Sequence, residues 1–383
     1  MRLIEADGKV LLKRRGLAVP RGRLLGPHEP VEALAGGTAI KAQLLAGARG
    51  KAGLVRLADA ADVSTTAAAI ADHMRVLGAA PHILVEERIA VAAECYISWR
   101  IDDVRQAPVM LFSPYGGQEV EAHPGALHEL VWDPLRALHP HHVLRFLRDA
   151  GAGGRALGAI ARYAAELYRI FLAQDAELVE INPLAVMASG QVIALDAKIV
   201  VDDNAKFRHA EWDEFLSAHL ERLAVTPLEL RAGVHGLTLV ELDGCVALFA
   251  AGAGFGMALV DLLADAGLPA ANFADASGGS SAEAFAAMGD IVLERAARPD
   301  VKAIVCFQTM SAASLKIAVD GLLAAWDRAP VKKPLVVGFA VSATAEREMT
   351  ATEARNLFAA RGHQVVGDLD ELVPALRRIV GRP

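Results

Sequence analysis

The feature that most restricts the fold of this chain is a regular alternation of apolar and helix-like segments that begins at residue 237. The segments with helical character are 257–266, 281–297, 313–326, 345–360 and a last one near residue 375. Apolar segments such as VKAIVCF and PLVVGF lie between them and have strand character. This order predicts a parallel sheet with helices on both faces, of the flavodoxin-like type.

The preceding part of the chain has a different pattern. Strand-like segments are expected near 8–15, 39–45, 83–88, 107–112 and 177–198, and helical spacing occurs at 65–78 and 155–173. This predicts a mixed α+β domain. A chain of 383 residues is too long for a single hydrophobic core. We therefore predict two domains, 1–225 and 236–383, separated where Thr226-Pro227 and Gly233 interrupt the pattern.

Composition excludes several classes of protein. The apolar runs are too short to span a bilayer, and charges interrupt every apolar stretch near the N-terminus, so we expect neither a membrane span nor a secretory signal. Cys95, Cys245 and Cys306 are widely separated in apolar segments, which is typical of reduced thiols in a cytoplasmic protein. A net charge of -7 offers no basic surface for nucleic acid.

The most informative segment is Glu180-Ile-Asn182-Pro183, followed by a predicted hairpin and Asp196-Ala-Lys198. Gly190 suits the left-handed position of a three-residue turn, which would pair Met187 with Gln191. Counting outward, Asn182 faces Asp196 and Glu180 faces Lys198. An amide oxygen and a carboxylate ~5 Å apart favour a hard cation such as Mg²⁺. The alternative is a strand end with an exposed cross-strand pair.

A second candidate site begins at the strand-like segment 38–43, where Lys41 and Gln43 share a face. It continues into a loop of small residues that carries Arg49, Gly50 and Lys51. Exposed backbone N–H groups beside these cations are suited to phosphates, although the loop does not match GxxxxGK[ST]. The alternative is a flexible basic surface loop.

These motifs together resemble those of the succinyl-CoA synthetase β-subunit family. The similarity rests on Lys-x-Gln-x-x-Ala-Gly-x-Arg-Gly-Lys-Ala-Gly from Lys41, on Glu-Ile-Asn-Pro-Leu with Asp196, and on Asp-Asn-Ala-Lys-Phe-Arg at 203–208. The variants Leu-Asp-Ala-Lys and Asp-Asp-Asn look more like malate–CoA ligase relatives. The resemblance implies an ATP-grasp domain followed by a CoA-ligase domain.

The resemblance also implies roles for single residues. The nucleotide would be bound by Lys41, Ala48, Arg49, Gly50, Glu86, Ile89 and Glu94. The metal would be bound by Asn182 and Asp196, and Glu180 would orient a histidine of the partner. Taken alone, a glutamate at a strand end such as Glu86 is usually just solvated.

The implied activity is that of an ADP-forming acid–thiol ligase, with ATP, CoA and a small carboxylic acid as substrates and Mg²⁺ as cofactor. A separate α subunit would carry the CoA site and a phosphohistidine, so this chain would be active only with its partner. Two alternatives are a non-catalytic ATP-binding scaffold subunit and a stand-alone ATP-grasp ligase that uses an amine.

The second domain departs from the family pattern. Gly252-Ala-Gly254 with Asp275 resembles a dinucleotide fingerprint, but its third glycine would fall at Met257, so NAD is not favoured. At the family's carboxylate-binding positions the chain has Ala251, the segment with Ser311 and Ser314, and the loop 338–343. The two serines could assist an anion at a helix expected to begin near 312. We expect succinate to be a poor substrate. The histidines His139, His141 and His142 are assigned no role.

Overall fold

The computed structural model describes residues 1–45, 49–117, 119–275, 281–311, 313–330 and 332–381, except for the side chain of Ala251. The chain divides into two compact units, Met1–Glu221 and Arg222–Pro383. The sequence had predicted the division slightly later, between Leu223 and Gly236. No helix in the described part of the chain is long and apolar enough to cross a membrane.

The first unit contains two antiparallel sheets. Its strands are β1 (Gly22–Leu25), β2 (Thr38–Ala42), β3 (Val55–Ala58), β4 (Ile83–Glu87), β5 (Ala93–Asp102), β6 (Ala107–Ser113), β7 (His128–Val131), β8 (Ala176–Val186), β9 (Val192–Ala194) and β10 (Lys198–Val201). The helices that begin in this unit are α1 (Glu5–Arg14), α2 (Val63–Val76), α3 (Glu119–Ala122), α4 (Pro140–Asp149), α5 (Leu157–Ala173) and α6 (Leu216–Ala224).

Each sheet of the first unit packs against a helix. The smaller sheet has the order β1-β4-β2-β3, and α2 covers it with Val63, Ile70 and Met74. The larger sheet has the order β10-β8-β5-β6-β7, with β9 paired to β8. Helix α5 covers this sheet, and the indole N–H of Trp99 on β5 donates to the Ala164 carbonyl at 3.0 Å. Burial of the apolar face of each helix therefore stabilises the sheet beneath it.

The expected strand near 8–15 is wrong, because this segment belongs to helix α1. The run Val10-Leu11-Leu12 is apolar over too short a distance to distinguish a strand from a helix. Ile4 and Leu11 are both buried and lie seven residues apart, which is two helical turns. Glu5 and Lys9 form an ion pair at the helical i, i+4 spacing. The buried face of the segment thus has helical rather than strand periodicity.

The hairpin between β8 and β9 has the predicted register. The Met187 N–H donates to the Gln191 carbonyl at 2.8 Å, and Gly190 has φ of +84°. Further along the hairpin, Glu180 on β8 is paired with Lys198 on β10. The same count places Asn182 opposite Asp196, with the Leu195 N–H donating to the Pro183 carbonyl at 3.1 Å.

We expect Gly190→Ala to lower the free energy of unfolding by about 2–4 kcal/mol, as measured by denaturant titration. The conformation is left-handed, and an added Cβ would lie 2.8 Å from the Cβ of Arg155. Gly36 is the matched control, because its φ is +85° and an added Cβ would meet no atom within 4 Å. Gly36→Ala should therefore cost only about 1–2 kcal/mol. Equal losses in the two variants would show that contact with Arg155 is unimportant.

The second unit is a three-layer α/β domain. Its elements are α7 (Pro227–Val234), β11 (Thr238–Glu241), β12 (Val246–Ala251), α8 (Ala253–Asp265), β13 (Asn272–Asp275), α9 (Ala282–Ala296), β14 (Ala303–Met310), α10 (Leu315–Arg328), β15 (Leu335–Val341), α11 (Ala351–Ala360), β16 (Gln364–Val365) and α12 (Leu372–Val380). The sheet order is β11-β13-β12-β14-β15-β16.

The parallel part of this sheet, β13-β12-β14-β15-β16, has the flavodoxin-like order 2-1-3-4-5. One face packs on α9, α10 and α11, and the other packs on α8 and α12. The predicted parallel sheet with helices on both faces is confirmed. The sequence did not predict that β11 would pair with β13 in the antiparallel direction at the edge.

The segment read as a boundary, 226–234, is mostly the helix α7. Pro227 lies in the first turn, where its missing N–H costs nothing, and Thr226 forms a capping box with Glu229. Leu228 and Ala232 are buried in the core of the second unit. Proline here begins a helix rather than a linker.

Candidate functional site

A cleft of about 660 Å³ in the first unit is lined by residues of both sheets. Most of the residues that the sequence singled out for phosphates and metal lie along it: Lys41, Arg49, Gly50, Lys51, Glu180, Asn182 and Asp196. These residues are separated by up to 155 positions in the sequence (196 minus 41), and the fold brings them to one cavity. The volume falls within the range of small-molecule sites.

Beside this cleft lies a cluster of six charged side chains, hereafter the charge cluster: Glu5, Lys9, Lys41, Arg49, Glu86 and Asp196. The ammonium of Lys41 lies 2.7 Å from Glu5 and 2.8 Å from Glu86. The Arg49 guanidinium lies 2.7 Å from Glu5 and 2.8 Å from Asp196. With three cations and three carboxylates the charges balance, which is what permits their burial.

The charges of Glu5 and Lys41 are stabilised by their partners in the cluster, whereas burial lowers the pKa of Lys9 despite its carboxylate partners. Burial acts to raise the pKa of Glu5, but the Lys41, Lys9 and Arg49 charges hold this pKa well below its usual value. Burial likewise acts to lower the pKa of Lys41, but Glu5, Glu86 and Asp196 raise it above the ordinary range. Both groups are therefore charged at neutral pH. Lys41 thus lies on the cleft, as the sequence had indicated, and also forms ion pairs with the buried Glu5 and Glu86, which the sequence had not indicated.

The predicted metal-binding pair, Asn182 and Asp196, lines the cleft from opposite sides of the hairpin. The amide oxygen of Asn182 accepts from the Gly117 N–H at 2.6 Å. Asp196 accepts from Arg49 and from the Ala197 N–H, both at 2.8 Å, and 37% of its side chain remains exposed. Burial and the charge of Glu5 raise the pKa of Asp196, while Arg49 acts to lower it.

The oxygens of Asn182 and Asp196 are suitable ligands for Mg²⁺, but they are too few to surround a metal ion with protein atoms alone. Within the described ranges, no group of three His, Cys, Asp or Glu side chains could hold a metal ion. Mg²⁺ commonly binds through one or two protein oxygens and completes its coordination with water and substrate phosphates. A carboxylate and an amide oxygen on a cleft that is also lined by Lys41, Arg49 and Lys51 meet this requirement.

The predicted phosphate loop is described from Arg49 onward, and Ala48 lies outside the described residues. Arg49 also donates to the Ala42 carbonyl at 2.9 Å, which holds the guanidinium beside the end of β2. Gly50 is exposed and lines the cleft, and Lys51 forms an ion pair with Glu121 at the cleft margin. The described part of the loop thus presents backbone and positive charge to the cavity.

Three other residues predicted to bind the nucleotide, Glu86, Ile89 and Glu94, are not among the described residues that line this cleft. Glu86 is only 2% exposed, and its carboxylate forms ion pairs with Lys9 and Lys41. It is therefore not the solvated strand-end glutamate of the alternative interpretation, and its predicted contact with the nucleotide stays a prediction. Ile89 and Glu94 are half-buried, and burial raises the pKa of Glu94. An added Cβ at Gly117 would lie 2.9 Å from the Glu94 carboxylate, so Glu94 is close to the loop that contacts Asn182.

Glu180 lies on β8 with its carboxylate 3.2 Å from the Tyr96 hydroxyl, which donates to it. Tyr96 is buried and also bonds Ser98. Burial and the charge of Glu180 raise the pKa of Tyr96 to about 12, so the phenol stays protonated and remains a donor. The sequence analysis did not identify Tyr96, because a tyrosine inside an apolar strand resembles a core residue.

Glu5 and Lys9 were also missed. Their i, i+4 spacing was the available signal, and it has meaning only on a helix. Since the segment was read as a strand from residue 8, the two side chains were not expected to lie within reach of each other. Gln43 confirms the predicted shared face with Lys41, because its amide oxygen accepts from the Ala6 N–H on α1 at 2.9 Å.

In the second unit, the glycine turn after β12 forms a hydrogen bond to the end of the neighbouring strand β13. Gly252 has φ of +92°, and its N–H donates to the buried Asp275 carboxylate at 2.9 Å. Asn272 bonds both the N–H and the carbonyl of Leu248. An added Cβ at Gly256 would lie 2.7 Å from the Phe273 ring. Gly252 and Asp275, which resemble part of a dinucleotide fingerprint, thus contact each other within the domain, and Gly256 beside them packs against Phe273.

The predicted start of the helix near residue 312, on which the expected anion site depended, is corrected by the structure. Helix α10 begins at Leu315, and the Leu315 N–H donates to the Ala345 carbonyl at 3.0 Å. The Ser314 hydroxyl donates to the Glu348 carboxylate at 3.1 Å, and the Ser311 carbonyl accepts from Ser342. A carboxylate beside the helix start disfavours a second anion there. The side chain of Ala251 lies outside the described part of the chain.

The histidines before α4 have a structural contact. His139 is the N-cap residue of α4, and its N–H donates to Nδ1 of His142 at 3.0 Å. The imidazole of His142 thus has a partner within the protein.

Comparison with known proteins identifies a consistent set of relatives. A family model for the ATP-grasp domain matches residues 2–186. The β subunit 2 of an ADP-forming succinate–CoA ligase from Streptomyces coelicolor is 32% identical over 99% of this chain and 96% of its own length. The β subunit of a GDP-forming succinate–CoA ligase from Thermus thermophilus is 33% identical, covering 91% of this chain and 92% of its own.

Among solved structures, an ATP citrate lyase from Methanothrix soehngenii in complex with citrate and coenzyme A matches with a TM-score of 0.74. The match covers 98% of this chain and 99% of the other, at 19% identity. At that identity the similarity shows a shared fold.

Proposed function

Because the chain belongs to the family of succinate–CoA ligase β subunits, we propose that it is the nucleotide-binding subunit of an ADP-forming carboxylate–CoA ligase. The nucleotide is ATP, and the reaction joins a carboxylic acid to the thiol of CoA. The partner is an α subunit that carries the CoA site and a histidine that is phosphorylated during the reaction. The complex is a hetero-oligomer, and this chain alone does not complete the reaction.

The proposed reaction has three steps. The γ-phosphoryl group of ATP is transferred to a nitrogen of the partner's histidine, and ADP leaves. The phosphoryl group then passes from that nitrogen to a carboxylate oxygen of the acid, which forms an acyl phosphate. The CoA thiolate attacks the acyl carbon and displaces phosphate. Phosphoryl transfer of this kind depends mainly on positioning and on neutralisation of charge.

The observation that carries this proposal is the set of charges on the cleft of the first unit. Lys41, Arg49 and Lys51 offer three cations, and Asn182 and Asp196 offer two oxygen donors to the same cavity. Mg²⁺ bound by Asn182 and Asp196 would neutralise phosphate charge. Lys41 and Arg49 would bind phosphate oxygens, and the exposed backbone at Gly50 would donate to them.

Glu180 is proposed to orient the incoming histidine of the partner. It lies two residues before Asn182 on β8, lines the cleft, and accepts a hydrogen bond from a Tyr96 phenol that stays protonated. A carboxylate held in this way can accept the N–H of an imidazole and favour the tautomer whose other nitrogen attacks phosphorus. Glu86, Ile89 and Glu94 remain proposed contacts of the nucleotide.

We expect succinate to be a poor substrate compared with a larger or less charged acid. The family resemblance implies an asparagine and an arginine at the carboxylate, where this chain has Ala251 and the loop 338–343, and Ser314 donates to Glu348. Loss of a charged hydrogen bond costs about 1.5–3 kcal/mol, or about one to two decades in kcat/KM.

The test is ADP release by the chain purified with its α subunit, measured with CoA and a panel of mono-, di- and tricarboxylates. ADP release that requires both CoA and an acid supports the ligase function. The highest kcat/KM for succinate would overturn the proposed acid preference. Nucleotide binding without turnover of any acid would instead favour a scaffold subunit.

A further inference from the structure

One member of the charge cluster, Lys9, has no access to the cleft. Lys9 lies on α1, is 3% exposed, and is absent from the described lining of the cavity. It therefore cannot contact a phosphate directly. A buried lysine on a helix face is costly unless its ammonium is fully satisfied.

The ammonium of Lys9 is surrounded by acceptors. Its three N–H groups donate to Glu5 at 2.6 Å, to the Glu86 carboxylate, whose two oxygens lie at 2.8 and 2.6 Å, and to the Leu195 carbonyl at 2.8 Å. Lys41 donates to the same Leu195 carbonyl. Two buried ammonium groups thus hold a single backbone oxygen.

That oxygen belongs to the peptide group that joins Leu195 to Asp196. The position of this peptide determines where the Cα of Asp196 lies, and hence where its carboxylate points. On the other side, the Asp196 carboxylate accepts from the Ala197 N–H and from Arg49. The metal-binding residue is therefore held through its backbone by α1 and through its side chain by the phosphate loop.

We propose that Lys9 is a positioning residue for the metal site: by binding Glu86 and the Leu195 carbonyl, it holds the Asp196 carboxylate opposite Asn182. This inference rests on the proposed function, since it assigns Mg²⁺ to Asn182 and Asp196. It adds a residue of α1 that touches neither nucleotide nor metal. Groups of this kind, one contact removed from the ligand, commonly change metal affinity about 10- to 100-fold.

The test must separate positioning from the balance of charge. Lys9→Met alone leaves Glu5 and Glu86 with one cation fewer. The double variant Lys9→Met/Glu86→Gln removes one positive and one negative charge, so the charge cluster stays neutral while the bond from Lys9 to the Leu195 carbonyl is lost and that from Lys41 remains. It is compared with Glu86→Gln alone, because Glu86 is itself a proposed contact of the nucleotide. If this variant does not fold, Lys9→Arg is the second variant, because it keeps the charge but cannot place one ammonium among the four acceptors.

Asp7→Asn is the matched control. Asp7 also lies on α1 and is 6% exposed, but its carboxylate accepts from the Ser217 N–H at 2.8 Å and has no bond to Leu195. Its substitution weakens the packing of the same helix by another route. A change that merely follows from a less stable α1 would therefore occur in this control as well.

The experiment is calorimetric titration of each full-length chain with ATP over a series of Mg²⁺ concentrations and in EDTA, with Mn²⁺ binding followed by electron paramagnetic resonance. We expect the Lys9 variants to need about 10-fold or more Mg²⁺ for half-maximal enhancement of ATP binding. Asp7→Asn should keep the parent's Mg²⁺ dependence.

An unchanged Mg²⁺ dependence in the Lys9 variants, or the same shift in Asp7→Asn, would overturn the positioning role and leave the proposed function intact. A parent chain that binds no Mg²⁺–ATP would overturn the proposed function, and this inference with it.

Discussion

Asp196→Ala should abolish the magnesium dependence of nucleotide binding and weaken the binding of Mg²⁺–ATP by at least about 100-fold, since even indirect contacts to a metal contribute about 10- to 100-fold. Asp196 is the only carboxylate of the predicted metal pair, and its partner Asn182 offers a neutral oxygen. Calorimetry on the isolated chain, with and without EDTA, measures both quantities.

The metal-free titration is the internal control for this variant. Arg49 is bound to both Asp196 and Glu5, so removal of Asp196 leaves the guanidinium freer to bind phosphate. ATP in EDTA should therefore bind the variant at least as tightly as it binds the parent. Glu121→Gln is the external control, because Glu121 also lines the cleft but faces Lys51 at its margin. An Asp196→Ala chain that keeps the parent's magnesium dependence would show that the metal assignment is wrong.

Glu180→Gln should slow phosphorylation of the partner by about 10²- to 10⁴-fold, the usual contribution of a positioned acid–base group. The binding of Mg²⁺–ATP should change little, because the amide is isosteric and Asn182 and Asp196 are untouched. The measurement is a single-turnover assay of acid-labile phosphate on the partner, using ATP labelled at the γ position, alongside calorimetry on the same preparation.

Tyr96→Phe is the matched variant for this prediction. It removes the hydroxyl that donates to Glu180 at 3.2 Å and leaves the carboxylate in place. A smaller loss of about 10-fold in the phosphorylation rate is expected, equivalent to the ~1.4 kcal/mol of one hydrogen bond. Unaltered phosphorylation in Glu180→Gln would remove Glu180 from the mechanism, whereas weaker ATP binding at an unchanged rate would place it at the nucleotide.

Several elements of the fold were predictable because their determinants are local. Helices α2 and α5 repeat their apolar residues at helical spacing, and the alternation after residue 237 predicted the parallel sheet. The hairpin register was also predictable. A left-handed glycine at position 190 sets which residues face each other, and each step outward from the turn follows by counting.

Elements whose identity depends on distant contacts were not predictable. The segment 8–15 is too short for its hydrophobic period to distinguish a helix from a strand. In the structure it belongs to helix α1, whose apolar face is buried in the core. Likewise, Thr226-Pro227 is compatible with a linker or a helix start, and burial of Leu228 and Ala232 decided for a helix.

The sequence by itself determined the family, the fold class and the order of the two domains, because motif spacing and hydrophobic period are written in the chain. It also placed Asn182 opposite Asp196, because that pairing is local to one hairpin. Only the tertiary structure joined Lys9 to Glu86 and Leu195, and Arg49 to Asp196. These partners come from separate elements whose packing no local pattern specifies, and a buried charge takes whichever partner the fold brings within reach.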